Sequence, residues 1–470
     1  MVRTKGSLPK EFPDFEELEK SYSLLIKGLP GTGKSSLALD LVAHLPNSFY
    51  VSTRLNPREL LHDFPWLEET IPPERQRFFF IDATRAQTDE SESDILVLKF
   101  ETMPEFVQKI FSLGTKSQRK IIVIDSWNGL TINLSDSQIR HWESVIVQYL
   151  RSEESKIIFI EEGVKESSLD WIVDGIIVLS RRTHISEHGI PRRIRELNFE
   201  KMRGREIKNE TYLASLSSGR FKTFEPFKYR FPAIILKSPT INDPGEQYIS
   251  TGASSFDELL AGGLEKGSWN LFDVSTTVGD ALDIILFPMI INHLNNNRPL
   301  ISIFREGVTF DSKKSFYDVF TGTENWIEHT FNFERFIPKT TPNRNELPDN
   351  LDQLLEKIQQ IKGTMRKKIG TPFLINLGLD VLENKYGIRD LNKLIAILVS
   401  QAKLEGDIIV GWLKENQEYQ GGTTAASTHW KIDLINRALV LEGIIPATEY
   451  FAIEPVLYKG YIDYNLIPIL

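Results

Sequence analysis

From Tyr22 to Val178 short apolar runs alternate with stretches of helical periodicity. The runs Tyr22–Ile26, Phe49–Ser52, Phe78–Ile81, Ile121–Ile124 and Ile157–Ile160 read as strands, and Ser35–Leu45, Pro104–Leu113 and Ser137–Leu150 as helices between them. Strands separated by helices of this length require right-handed crossovers, so the pattern predicts a mostly parallel sheet covered on both faces. Near Arg181 the pattern changes. Ile194–Met202 and Tyr212–Leu216, set apart by polar and glycine-containing turns, predict an antiparallel extension at one edge.

Between Glu225 and Gln247 the chain carries Pro226, Pro232, Pro239 and Pro244 with little amphipathic periodicity, which predicts a linker over 228–246. The α/β pattern then restarts, with apolar runs at Trp269–Phe272, Leu300–Phe304, Phe373–Leu377 and Ile408–Trp412. The expected organisation is a domain over 1–227 and a second copy of it over 247–470. A chain of 470 residues is too long for one ordinary core, and 41% hydrophobic with 25% charged residues suits folded domains rather than disordered tracts. A net charge of -9 repels nucleic-acid backbone and anionic lipid over most of the surface, so nucleic acid is not expected as the main ligand. The absence of cysteine removes disulfides and thiolate metal sites. No stretch is long and apolar enough to span a bilayer, and no apolar core follows the basic residues of Met1–Lys20; a cytoplasmic protein without membrane contact is expected.

The candidate chemistry lies directly after the first strand. Gly28, Leu29, Pro30, Gly31, Thr32, Gly33, Lys34 and Ser35 satisfy G-x-x-x-x-G-K-[ST], and Ser36 follows at the start of a helix. Glycines let backbone N–H groups turn around phosphates, Lys34 reaches the β- and γ-phosphates, and the Ser35 hydroxyl is placed to ligate Mg²⁺. The expected ligands are ATP and Mg²⁺. Phosphoryl transfer also needs a carboxylate for the metal, usually an Asp ending a buried strand. Asp82 and Asp125 both qualify; Asp125 is favoured, because of its longer separation from the P-loop and because Ser126 follows it.

Together these stretches resemble the RecA-superfamily branch that contains KaiC and the RadA-like ATPases. The resemblance rests on the P-loop, on Phe80–Ala83, on Ile122–Ser126, and on Glu200–Gly204, which is similar to the K-x-R-G segment of that branch. The second half opens with Ile249–Gly252, Phe256–Leu260 and Gly262–Ser268, similar to the preamble of a KaiC-type P-loop. The resemblance implies an α/β fold of two tandem RecA/KaiC-like P-loop domains with mostly parallel central sheets. It also implies that Lys201 and Arg203 act at an interface, reaching the nucleotide of a neighbouring subunit in a homo-oligomer. With a short preamble and an arginine-rich stretch from Arg181 to Lys208, the chain most resembles the gas vesicle protein D family of two-domain archaeal regulators. That likeness implies a protein partner, in that setting a transcriptional activator.

The sequence departs from the KaiC pattern at two places. Arg54 and Leu55 stand where a pair of glutamates normally ends the second strand, which predicts slow hydrolysis. Glu161 and Glu162, on the strand expected beside Asp125, could supply the missing carboxylate or be solvated strand-end charge. In the second half Asp280 and Ala281 stand at the lysine and hydroxyl positions, Asn376 at the strand-end aspartate, and Val440 and Glu442 at the K-x-R pair. These losses predict a degenerate, pseudo-ATPase domain. The segment His184–His188 spells H-x-x-E-H, but it lies between two β-like runs, where the imidazoles would not share a helix face. The expected function is an ATP-binding, slowly hydrolysing regulator acting through protein partners; an ATP-driven enzyme on DNA and a KaiC-like signalling ATPase without a transcriptional role are the alternatives.

Overall fold

The computed structural model describes residues 8–13, 15, 21–84, 95–116, 121–185, 189, 191–230, 232–323, 326–335, 343–370, 372–414, 417 and 425–469. Contacts divide the chain into Met1–Glu225 with Ile469–Leu470, and Pro226–Pro468.

The strands of the first unit are β1 (Tyr22–Gly28), β2 (Ser48–Ser52), β3 (Phe80–Asp82), β4 (Leu96–Val97), β5 (Ile121–Asp125), β6 (Lys156–Glu162), β7 (Gly175–Ile185), β8 (Pro191–Met202), β9 (Thr211–Ser215) and β10 (Lys222–Phe224). Among the described residues they form one sheet in the order β10-β9-β8-β7-β1-β6-β5-β2-β3-β4. From β7 through β1 to β4 every pairing is parallel, and β8, β9 and β10 extend it antiparallel. Alternation along β1 feeds two cores. Leu24 and Ile26 pack with Leu37 and Leu41 of the helix Lys34–Val42, and Leu25 packs on the other face with Phe106 and Val147.

One predicted strand is cut short. Phe79 closes a helix, Pro73–Phe79, and the strand starts only at Phe80. Pro73 at the first helical position, with Glu74 in the first turn, nucleates helix through the front of the apolar run. The helix predicted at Ser137–Leu150 spans Asp136–Ser152, started by a reciprocal cap between Ser135 and Gln138.

The second unit repeats the order. Its central strand Trp269–Val274 lies between Ile408–Lys414 and Thr428–Ile435, both parallel to it, as β1 lies between β6 and β7. Beyond Ile408–Lys414 come Leu374–Gly378 and Leu300–Ile303, in the places of β5 and β2. The proline-bearing 228–246 segment is tied to this unit: Leu236 N–H donates to Gly460 O at 2.7 Å, Ser238 N–H to Phe320 O at 2.8 Å, and Asp243 pairs with Arg298. No helix among the described residues is long and apolar enough to cross a membrane.

Candidate functional site

The loop after β1 turns on glycines that other residues cannot replace. Gly31 and Gly33 hold φ of 74° and 101°, in the left-handed region. A Cβ on Gly33 would stand 2.9 Å from Leu216 Cδ2, and one on Gly28 would stand 2.6 Å from Leu179 O. Gly33 is the N-cap of Lys34–Val42 and offers no side-chain cap, so the first N–H groups of the helix face the loop at the positive end of its dipole. Lys34 is buried and folds back over the loop. Its Nζ donates to Gly28 O at 2.9 Å, to Leu29 O at 3.0 Å and to Glu162 Oε2 at 3.1 Å. Thr32 Oγ1 donates to Leu29 O at 2.9 Å, and Ser36 is buried in the first helical turn.

The end of β5 brings the second half of the site. Ser35 Oγ donates to Asp125 Oδ2 at 2.6 Å, and the Tyr50 hydroxyl donates to the same oxygen. Burial pushes the Asp125 carboxyl above its ordinary range, while hydrogen bonds from Ser35 and Tyr50 and the Lys34 ammonium pull the other way. Burial beside Asp125 also holds the Tyr50 phenol well above its usual value. Asp82 is engaged elsewhere: its Oδ1 accepts from Thr84 N–H at 2.9 Å and from Thr84 Oγ1 at 2.7 Å. Two hard oxygens, Ser35 Oγ and Asp125 Oδ2, converge beside an ammonium and a helix N-terminus, which fits Mg²⁺ and a polyphosphate chemically.

With this geometry established, comparison with known proteins adds a family likeness. Residues 12–200 match the family model described as GvpD gas vesicle protein, P-loop domain. Over those residues the chain is GvpD-like. It is 26% identical over 301 residues to Protein GvpD2 of Halobacterium salinarum, covering 61% of this chain and 59% of that protein. It is 26% identical over 303 residues to Protein GvpD1 of the same organism, covering 61% and 54%. The matched stretch thus spans somewhat over half the length of each relative.

In this GvpD-like P-loop domain, Glu161 and Glu162 are separated by strand alternation. Glu162 faces the loop, where its carboxylate also accepts from Arg54 Nη1 at 3.1 Å. Glu161 faces the other way, accepting from Ser167 Oγ at 2.9 Å, with Lys27 Nζ 3.8 Å off. Lys27 itself is buried and donates to both oxygens of Asp170 at 2.8 and 2.9 Å. Burial pushes the Glu161 carboxyl above its ordinary range. The structure therefore brings Glu162, and not Glu161, to Lys34.

Lys201 and Arg203 bond away from their own P-loop; Lys201 is level with Ile176 and so with Leu25, three residues before Gly28. Lys201 Nζ donates to Asp170 O at 2.9 Å, and Arg203, just past β8, donates from Nη1 to Asp174 Oδ1 at 2.9 Å. Asp174 in turn holds Ser23 at the opening of β1, on the order of 16 Å along that strand from Gly28. Burial, then the Arg203 charge, lowers the Lys201 ammonium from its ordinary range. Two other arginines reach the loop, which sequence reasoning treated only as members of a basic cluster. Arg181 and Arg195 face each other across β7 and β8, and they donate to Pro30 O at 3.1 Å and Gly31 O at 2.7 Å. Burial, then Arg181, lowers the Arg195 guanidinium. Arg181, Arg195, Tyr50 and the inward turn of Arg54 carry no local motif; only the pairing of β7 with β1 and of β2 with β5 reveals them.

In the second unit the strand register corrects one assignment. Asp125 is level with Ile160 and Ile26; Phe272, two residues before the corresponding loop, is level with Trp412 and Gly378. Gly378, not Asn376, therefore occupies the aspartate position. A Cβ there would stand 2.6 Å from Arg305 N, so no carboxylate fits. Asn376 is a buried structural group that donates to Ser302 Oγ at 2.9 Å and accepts from Trp412 Nε1. The loop itself gives way to a 3-10 turn, Gly279–Leu282, in which Ala281 is buried. The side chain of Asp280 lies outside the described residues, as do residues 186–188 of the H-x-x-E-H segment, whose His184 sits on β7. Among the described residues no three His, Asp or Glu side chains gather as they would around a metal ion.

Proposed function

We propose that the N-terminal unit binds ATP with Mg²⁺ at Gly28–Ser36, and that the bound nucleotide alters a surface read by a cytoplasmic protein partner. The observation that carries the reading is the 2.6 Å contact between Ser35 Oγ and Asp125 Oδ2 beside Lys34, which assembles both metal-binding oxygens and the phosphate-binding lysine at one helix N-terminus. In this reading Ser35 and Asp125 hold Mg²⁺, which neutralises phosphate charge, and Lys34 and the loop N–H groups hold the phosphates. Hydrolysis is slow, below the ~1 s⁻¹ low end of ordinary turnover, because Arg54 occupies the place of a carboxylate. The second unit serves as a scaffold without nucleotide. By analogy with the gas vesicle relatives, the partner is a transcriptional activator. Lys201 and Arg203, bonded to Asp170 and Asp174 rather than to their own loop, serve the nucleotide of a second copy. The test is a pull-down with wild type and Lys34→Ala, with and without Mg-ATP. Partners retained only by wild type with ATP support the reading; an identical set in all four arms contradicts it.

A further inference from the structure

We infer that Arg54 is the residue that makes this site read the terminal phosphate of a nucleoside triphosphate, and that Glu162 holds that place as an internal anion. The inference rests on the P-loop reading above and assigns roles to two residues of the same site. One carboxylate is divided between two cations: Glu162 Oε2 lies 3.1 Å from Lys34 Nζ and Oε1 lies 3.1 Å from Arg54 Nη1. Lys34 is on the loop side of that carboxylate and Arg54 on the outer side. Two oxygens of a terminal phosphoryl group offer the same pair of acceptors to an ammonium and a guanidinium fork.

Both flanking residues are fixed to the strand end that carries Asp125. Thr53 N–H donates to Asp125 O at 2.7 Å, Thr53 Oγ1 donates to Ser126 O at 2.9 Å, and Glu162 N–H donates to Asn128 Oδ1 at 2.6 Å. Gly129 leaves space for this turn: a Cβ there would stand 2.6 Å from Thr53 Oγ1 and 3.3 Å from Arg54 Cγ. These bonds tie the Thr53–Arg54 turn to the strand end that carries Asp125, and the Arg54 head lies across the Glu162 carboxylate from Lys34.

Like charges make the site selective. Phosphate entering between Lys34 and Arg54 meets the Glu162 carboxylate as a second anion, so the bridge and the terminal phosphate exclude each other. Exchange disturbs no core, since the Glu162 side chain is 26% and the Arg54 side chain 57% exposed, against 5% for Lys34. A diphosphate engages Lys34 without reaching Arg54. Arg54 thus favours tri- over diphosphate, and Glu162 sets how tightly the triphosphate must bind to displace it.

The experiment is calorimetric titration of the full chain with Mg-ATP and Mg-ADP, for wild type, Arg54→Ala, Arg54→Lys, Glu162→Gln and Lys34→Ala. Arg54→Ala is expected to weaken ATP about tenfold while moving ADP less than about twofold, and Arg54→Lys to fall between. Glu162→Gln is expected to tighten ATP several-fold, because the competing charge is gone. Equal loss of both nucleotides in Arg54→Ala, unchanged ATP affinity in it, or weaker ATP binding in Glu162→Gln would overturn the inference. A wild type that binds neither nucleotide overturns the P-loop reading with it. Loss of both nucleotides in Lys34→Ala beside an unaltered Arg54→Ala overturns this inference alone.

Discussion

At the scale of single residues, neighbouring glutamates on one strand carry opposite assignments. Period-two alternation already requires that Glu161 and Glu162 point to opposite faces, so the sequence held the means to separate them. Which face met Lys34 depended on β6 lying between β1 and β5, a tertiary fact. Glu161→Gln is expected to leave ATP binding and turnover unchanged, by titration and by phosphate release. Lys27 is the cation of the opposite cluster, 2% exposed and bonded to Asp170. Lys27→Met leaves buried Glu161 and half-buried Asp170 without their cation and is expected to cost about 3 kcal/mol in urea unfolding. An unchanged midpoint would contradict the role assigned to this ion pair.

At the scale of elements, the glycine turn after β1 and the helix that follows it were legible, because the motif states local backbone requirements. Gly33 illustrates this: φ of 101° and the contact with Leu216 forbid a side chain, so Gly33→Ala is expected to lose nucleotide binding and lower the melting temperature together. The strand at Phe80–Asp82 was legible only in part, since Pro73 converts the front of its apolar run into helix. In the second unit the helix Asp283–Asn295 carries a different dependence. Burial, then the Arg298 charge, pushes the His293 imidazole down to about 3. Its ordinary value is 6.5, so below that pH the unfolded chain takes up a proton that the folded helix refuses. The contribution of His293 is expected to be retained well above pH 6.5 and to fall by about 1.4 kcal/mol for each pH unit below it, until the folded value is reached. Replacing His293 by Gln is expected to flatten this slope in urea unfolding between pH 6.5 and 5; the same slope in both proteins would contradict it.

At the scale of the whole molecule, the two ten-stranded sheets of the described residues share one strand order, and the G-x-x-x-x-G-K-[ST] motif lies in the first. The duplication was legible as a restarted α/β pattern. The identity of Gly378 as the aspartate position was not, because Asn376 ends the more polar-looking run and only register shows that Gly378 is level with Phe272. If Lys201 and Arg203 serve a second copy, wild type with Mg²⁺ and a non-hydrolysable ATP analogue is expected to gain mass by light scattering, and Lys201→Ala/Arg203→Ala to lose that gain. A wild type monomeric at every nucleotide concentration contradicts the trans role. The central claim is that one intact phosphate site lies in the first unit and none in the second. Calorimetric titration of the full chain with Mg-ATP tests it most directly: one site per chain in wild type and none in Lys34→Ala or Asp125→Ala is the predicted result, and two sites of similar affinity, or binding that survives Lys34→Ala, would contradict it.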